Sequence, residues 1–181
     1  MTVARGGKKD VLDPDTRRVD AAELPKEVTS PVELQLLELI PNLERHFKVT
    51  LATCERPQFL MYGEGDFYKL HRDSNSEPDA FDYLQRRKVS AVVFLNGQTE
   101  TSGEGFGQGH LTFHGLLKAP PWEMCPLPLH AESGLLVAFP SDLWHEVTPV
   151  MFGQRFTIVT WFFGPELERV PLPVPVHESH H

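Results

Sequence analysis

Between Pro57 and Phe163 turn-forming residues cut the chain into short runs of strand character, and this punctuation limits the fold more than any other feature. Residues 58–62, 67–70, 90–95, 110–113, 134–139, 145–149 and 155–163 carry the β-branched and aromatic side chains that suit a pleated, half-buried surface. Gly63 and Gly65, Asn96-Gly97, the glycine-rich run 103–109, Pro140-Ser141-Asp142 and Gly153 separate them. Strands this short, with no long helical period between them, argue against alternating β-α units and predict packed antiparallel sheets. The expected fold class is mainly β with flanking N-terminal helices: a double-stranded β-helix, or jelly roll, whose mouth is a usual place for a small-molecule site.

The flanks read differently. Residues 1–30 mix charges, glycine and proline without an apolar period and are expected to form a mobile N-terminal arm. Ser30 and Pro31 have the chemistry of a helix start, and Leu34, Leu37 and Ile40 recur at helical spacing before Pro41 ends or kinks the helix. Residues 43–47 can add a further turn. The main domain is therefore expected over 31–164. The tail 165–181 contains P-L-P-V-P-V, which favours extended polyproline II and cannot join a central strand. Residues 72–88 form a long polar loop with a helical turn at 80–85, either a lid or a solvated insertion. The run G-E-G-F-G-Q-G lacks a strand before it and a helix after it, so it is not a phosphate cradle.

A chain of 181 residues is long enough to bury a core in one domain. Its net charge of −8, with lysine and arginine scattered among acids, argues against nucleic acid as a partner. Cys54 and Cys125 stand far apart and outside any C-x-x-C pair, so they are expected to be reduced thiols in a cytoplasmic protein. No apolar run approaches the ~20 residues that span a bilayer, and M-T-V-A-R-G-G-K-K-D has no apolar signal-peptide core, so no membrane partner is expected.

The chemistry concentrates in Y-G-E-G-D-F-Y-K-L-H-R-D, residues 62–73. His71 and Asp73, two positions apart on an extended strand, share a face and can grip one metal ion. A third ligand is expected at His145, in L-W-H-E-V-T-P. Two imidazoles and one carboxylate with open positions suit non-haem Fe(II). Arg155 opens a strand on which Arg155, Thr157, Val159 and Trp161 share one face, and an inward arginine calls for an anion, best a carboxylate met in two-point contact. Tyr62 and Tyr68 lie on the approach to His71, where their phenols can meet such a ligand. Histidines 46, 110, 114 and 130 are expected to be structural or solvent-facing, Glu146 to point away from the metal, and Trp122 and Trp144 to be core or rim aromatics.

In this order, Y-G-E-G-D-F-Y-K-L-H-R-D, V-V-F-L-N, G-H-L-T-F, W-H-E-V-T-P and Q-R-F-T-I-V-T-W-F-F resemble the 2-oxoglutarate- and Fe(II)-dependent dioxygenases, prolyl 4-hydroxylase-like branch, over roughly residues 57–163. The resemblance implies His71, Asp73 and His145 as iron ligands and Arg155 as the partner of the distal carboxylate of 2-oxoglutarate. Tyr62 and Trp161 would line the site. It departs at Gln108, where relatives often have glycine, and at Phe94, where some have a tyrosine that holds the co-substrate; Arg155 would then lean on Thr157 or Tyr62. The implied cofactors are Fe(II), 2-oxoglutarate and O2, with ascorbate as an optional addition. The implied reaction hydroxylates a C–H bond, foremost in a prolyl residue of a protein or peptide, and yields succinate and CO2. The alternatives are a small-molecule hydroxylase or demethylase of the same superfamily and a non-catalytic metal-binding jelly roll.

Overall fold

The structure is a computed structural model that describes residues 14–77, 80–101, 103, 105–117, 120–121 and 125–166. In chain order its elements are β1 Arg17–Arg18, β2 Asp20–Ala22, α1 Lys26–Leu37, α2 Ile40–Phe47, β3 Thr53–Cys54, β4 Gln58–Tyr62, β5 Phe67–His71, α3 Asp82–Arg86, β6 Arg87–Phe94, β7 Phe106–Gln108, β8 Leu111–Phe113, β9 Leu127–Pro128, β10 Leu136–Pro140, β11 His145–Val147, β12 Val150–Gly153 and β13 Arg155–Phe163.

Two sheets face each other. One runs β1-β5-β11-β8-β9; the other runs β10-β6-β13-β4-β2, with β3 also paired to β13. All these pairings are antiparallel, as a jelly roll requires. Period-two alternation decides what each face buries. On β13, Arg155, Thr157, Val159 and Trp161 turn toward the opposing sheet, while Ile158, Thr160 and Phe162 turn outward. The inner faces enclose Leu60, Phe94, Phe106, Leu111, Phe113, Phe139 and Val150. Helices α1 and α2 lay Leu36 and Leu43 over the outer face, against Val89, Ala91 and Phe162. Each such side chain, fully buried, contributes about 1.5–3 kcal/mol.

The N-terminal arm does not hold as expected. Residues 17–18 and 20–22 are strands: Arg17 pairs with Tyr68 in one sheet and Asp20 with Met61 in the other. Runs of two and three residues carry no period, and the ladder partners that order them lie far downstream. Residues 1–13 lie outside the described residues. Helix α1 also starts earlier than Ser30: its N-cap is Pro25, whose carbonyl accepts from Val28 and Thr29, and Pro31 sits inside it. Pro41 falls in the first turn of α2, where its missing N–H costs nothing. The glycine-rich run, expected to be wholly loop, contains β7, which pairs with β12. Gly107 permits this, because a Cβ there would strike the Phe152 ring. The polyproline motif and Trp122 lie outside the described residues.

Candidate active site

His71 ends β5 and His145 begins β11, and the two are directly opposed in the antiparallel ladder. The pairing is irregular: from His145 to Val147 the partner strand advances from His71 to Tyr68, so Lys69 and Leu70 bulge out opposite Glu146. The bulge turns Tyr68 and His71, three positions apart, to the same face; a regular strand would oppose them. It also presents the Lys69 carbonyl to His71 Nδ1 at 2.8 Å. His145 repeats the arrangement, with Nδ1 2.8 Å from the Leu143 carbonyl. Each Nδ1–H donates to a backbone oxygen, which leaves Nε2 with its lone pair facing the cavity.

Those two nitrogens meet Asp73. His71 Nε2 lies 3.5 Å from Oδ1 and His145 Nε2 lies 3.5 Å from Oδ2. One ligand atom from each of the three residues falls within 4.8 Å of the others. The carboxylate is fixed from behind: the Ser90 hydroxyl donates to Oδ2 at 2.7 Å, Ser141 Oγ is 3.0 Å from Ser90 Oγ, and the Asp73 amide donates to the Ser141 carbonyl. Burial opposes ionisation of Asp73, yet the imidazoles and Ser90 outweigh it and hold the carboxyl well below the usual carboxylate range. Burial lowers the His145 pKa, against the raising effect of Asp73, and so favours the neutral, ligating imidazole.

Arg155 lies deeper in the same cavity, 2% exposed. Its Nη1 donates to Thr157 Oγ1 at 3.3 Å, and its guanidinium stands 5.0 Å from the Tyr62 ring and 4.9 Å from the Phe94 ring. Among the described residues it has no carboxylate partner, and its Nε is buried without a hydrogen-bond acceptor. Burial pulls its pKa from 12.5 to about 10. A buried guanidinium held among aromatic faces is set for an anion that the chain does not supply. Burial likewise pushes the Tyr62 phenol up, so it stays protonated and able to donate.

The cavity holds about 400 Å³ and opens on one side. Tyr62, His71, Asp73, His145, Arg155 and Trp161 all line it; Thr157 sits fully buried behind Arg155. Tyr83 and Leu84, carried by α3, also line it, which favours a lid for the loop after Arg72. His110 and His114 stand elsewhere, bound to Gln98 and to Glu146, and Trp144 is a rim residue with Arg72 over its ring. Among the side chains in the wall, sequence reasoning missed Arg87, Glu55 and Arg17. Arg87 is 3.8 Å from the Trp161 ring and pairs with Glu55 at 2.6 Å; Arg17 lies 4.8 Å over Tyr68. Neither R-R-K-V-S-A-V-V-F nor R-R-V-D gave a signal: Lys88, the charge directly before the apolar run, is exposed, and only the fold shows Arg87 and Arg17 facing the cavity.

Comparison with known proteins agrees with this geometry. The family model described as "2OG-Fe(II) oxygenase superfamily" matches residues 57–163. A PKHD-type hydroxylase of Hyphomonas neptunium (strain ATCC 15444) is 31% identical over 153 residues, covering 80% of this chain and 59% of that protein, so the chain spans less than two thirds of that relative's length. A Pseudomonas putida prolyl-4-hydroxylase structure superposes with a TM-score of 0.59 at 23% identity, covering 81% of this chain and 71% of that one. A Trichoplax adhaerens prolyl hydroxylase, in complex with a hypoxia inducible factor oxygen degradation domain peptide fragment, gives 0.60 at 18% identity, covering 82% and 64%. At these identities the structural likeness speaks to the fold, the double-stranded β-helix.

Proposed function

This chain belongs to the 2OG-Fe(II) oxygenase superfamily, and from that membership we propose that it hydroxylates a C–H bond in a prolyl residue of a protein or peptide, using Fe(II), 2-oxoglutarate and O2. One observation carries the reading: two imidazole nitrogens and a carboxylate converge in a cavity whose deep end holds an arginine with no anion of its own. That donor set suits Fe(II), and the orphaned Nε of Arg155 suits a carboxylate. His71, Asp73 and His145 would hold the metal. Arg155, with Thr157 bracing it and Tyr62 beside it, would seat the distal carboxylate of 2-oxoglutarate. When bound, iron would activate O2, which takes two electrons from 2-oxoglutarate as that is decarboxylated to succinate and two from the substrate C–H bond, one oxygen atom ending in succinate and the other as the hydroxyl.

The chain's own part is orientation and exclusion. The Lys69 and Leu143 carbonyls fix the two imidazoles, and Ser90 fixes the carboxylate. Phe94 and Tyr62 keep water from Arg155, which strengthens its hold on an anion. Arg87 and Trp161 form a flat polar wall beside the metal ligands, and the Tyr83 lid leans over it. The peptide held by the Trichoplax relative supports a peptide substrate here. We take residues 31–164, together with the strands at 17–22 and the first turn of α1 that joins them, as the catalytic unit. We place the protein in the cytoplasm on its two free cysteines; among the described residues no helix is long and apolar enough to cross a membrane.

Anaerobic addition of Fe(II) and 2-oxoglutarate is expected to give a weak visible charge-transfer band that His145→Ala abolishes. Absence of the band in the wild-type protein, together with no succinate formed with or without ascorbate, would overturn the assignment.

A further inference from the structure

We propose that the substrate presents a carboxylate, a few bonds from the carbon that is hydroxylated, and that Arg17 receives it. This rests on the reading above. The cavity wall carries four cations, Arg17, Arg72, Arg87 and Arg155, against two carboxylates, Asp73 and Glu55. On that reading Asp73 belongs to the metal and Arg155 to the co-substrate. Glu55 neutralises Arg87 at 2.6 Å, and Arg72 lies exposed over the rim residue Trp144, where solvent screens it. Arg17 is left over. Among the described residues it has no carboxylate partner, and its Nε is buried without an acceptor, the same condition that marks Arg155.

Its position fits a substrate group better than a scaffold role. Arg17 and Tyr68 are direct partners across the β1–β5 ladder, so their side chains stand on one face, and the guanidinium lies 4.8 Å over the Tyr68 ring. That ring stacks 3.5 Å from the His71 imidazole. An anion on Arg17 is therefore separated from a metal ligand by one aromatic ring, the reach of a small acid or of an acidic residue next to the target. Arg17 also sits beside the Tyr62 phenol, where its charge and hydrogen bond partly offset the burial of that group. The two guanidiniums, each with a buried Nε that lacks an acceptor, thus flank Tyr62, one braced by β13 for the co-substrate and the other offered from β1. In a chain of net charge −8, acids that could have quenched Arg17 were plentiful.

The test uses the full chain loaded with Mn(II) and 2-oxoglutarate under nitrogen, and Fe(II) for turnover. N-acetylproline is compared with N-acetylprolinamide, and a blocked Gly-Pro-Asp-Gly peptide with its Pro-Asn counterpart; the first pair reports an α-carboxylate and the second an acidic side chain. In at least one pair the acid is expected to bind tenfold or more tightly than the neutral form by calorimetry and to stimulate succinate release correspondingly. Arg17→Gln should erase that preference, Arg17→Lys should retain part of it, and the thermal stabilisation given by Mn(II) with 2-oxoglutarate should survive both. Equal binding of acid and neutral forms, or binding by neither, overturns the proposal. So does an Arg17→Gln variant that keeps the preference, or that raises the 2-oxoglutarate requirement instead. If Mn(II) and 2-oxoglutarate fail to stabilise even the wild-type chain, the fault lies with the oxygenase reading itself, and the proposal falls with it.

Discussion

Arg155 shows how far a binding site can run against the stability of its own fold. Moving its guanidinium out of water lowers its pKa to about 10, which corresponds to a penalty on the order of 3 kcal/mol. The folded chain holds this proton less tightly than the unfolded one does, so the penalty stands in full at neutral pH and eases only as pH climbs through about 10. Thr157 and the faces of Tyr62 and Phe94 offset part of it. Arg155→Met should therefore raise the melting temperature of the ligand-free protein by roughly 2–5 °C and abolish the further rise that 2-oxoglutarate gives the wild type in the presence of Mn(II). A variant that melts lower than wild type would show the guanidinium to be a structural prop. His71, Asp73, His145 and Arg155 were legible because each is a costly residue type at a patterned place. Ser90 and Ser141 were not, since a serine in a strand or a turn is ordinary until the fold puts Ser90 2.7 Å from a carboxylate and Ser141 behind it.

At the scale of the element, the irregular end of β5 is what makes the metal-binding geometry possible. The bulge at Lys69 and Leu70 keeps Tyr68 opposite Val147 while His71 stays opposite His145, and it lends His71 a carbonyl. Deleting Leu70 leaves a regular ladder in which both pairings survive, so the protein should fold with a melting temperature within a few degrees of wild type. The carbonyl that orients His71 is displaced, however, and Co(II) or Mn(II) affinity should fall about 10–100-fold, measured by titration in the absence of co-substrate. Undiminished affinity would mean that the bulge is incidental. The sequence did not disclose it, because a bulge is a fact about two strands, and the alternation of either one alone looks regular. Simple parity put His71 and Asp73 on one face, and the fold brings them within 3.5 Å of each other although Asp73 lies beyond the strand's end.

For the whole molecule, the turn punctuation after Pro57 made the jelly roll legible, and the helices were placed within a few residues. The first strands escaped because they have no pattern of their own. They matter out of proportion to their length: β1 adds to the edge of one sheet and β2 to the edge of the other, within a few residues of chain. Removing residues 1–22 should lower the melting temperature by roughly 5 °C or more, given about 2–4 °C per kcal/mol for a chain of this size, and should weaken substrate binding more than 2-oxoglutarate binding, as calorimetry would read. An unchanged melting temperature would make these strands ornamental. Gln58–Tyr62 and Phe67–His71, the rungs this clasp must grip, are synthesised tens of residues after it. The clasp must therefore wait for its partners, and the wall that Arg17 gives the cavity can be laid down only once the chain has been made through β5.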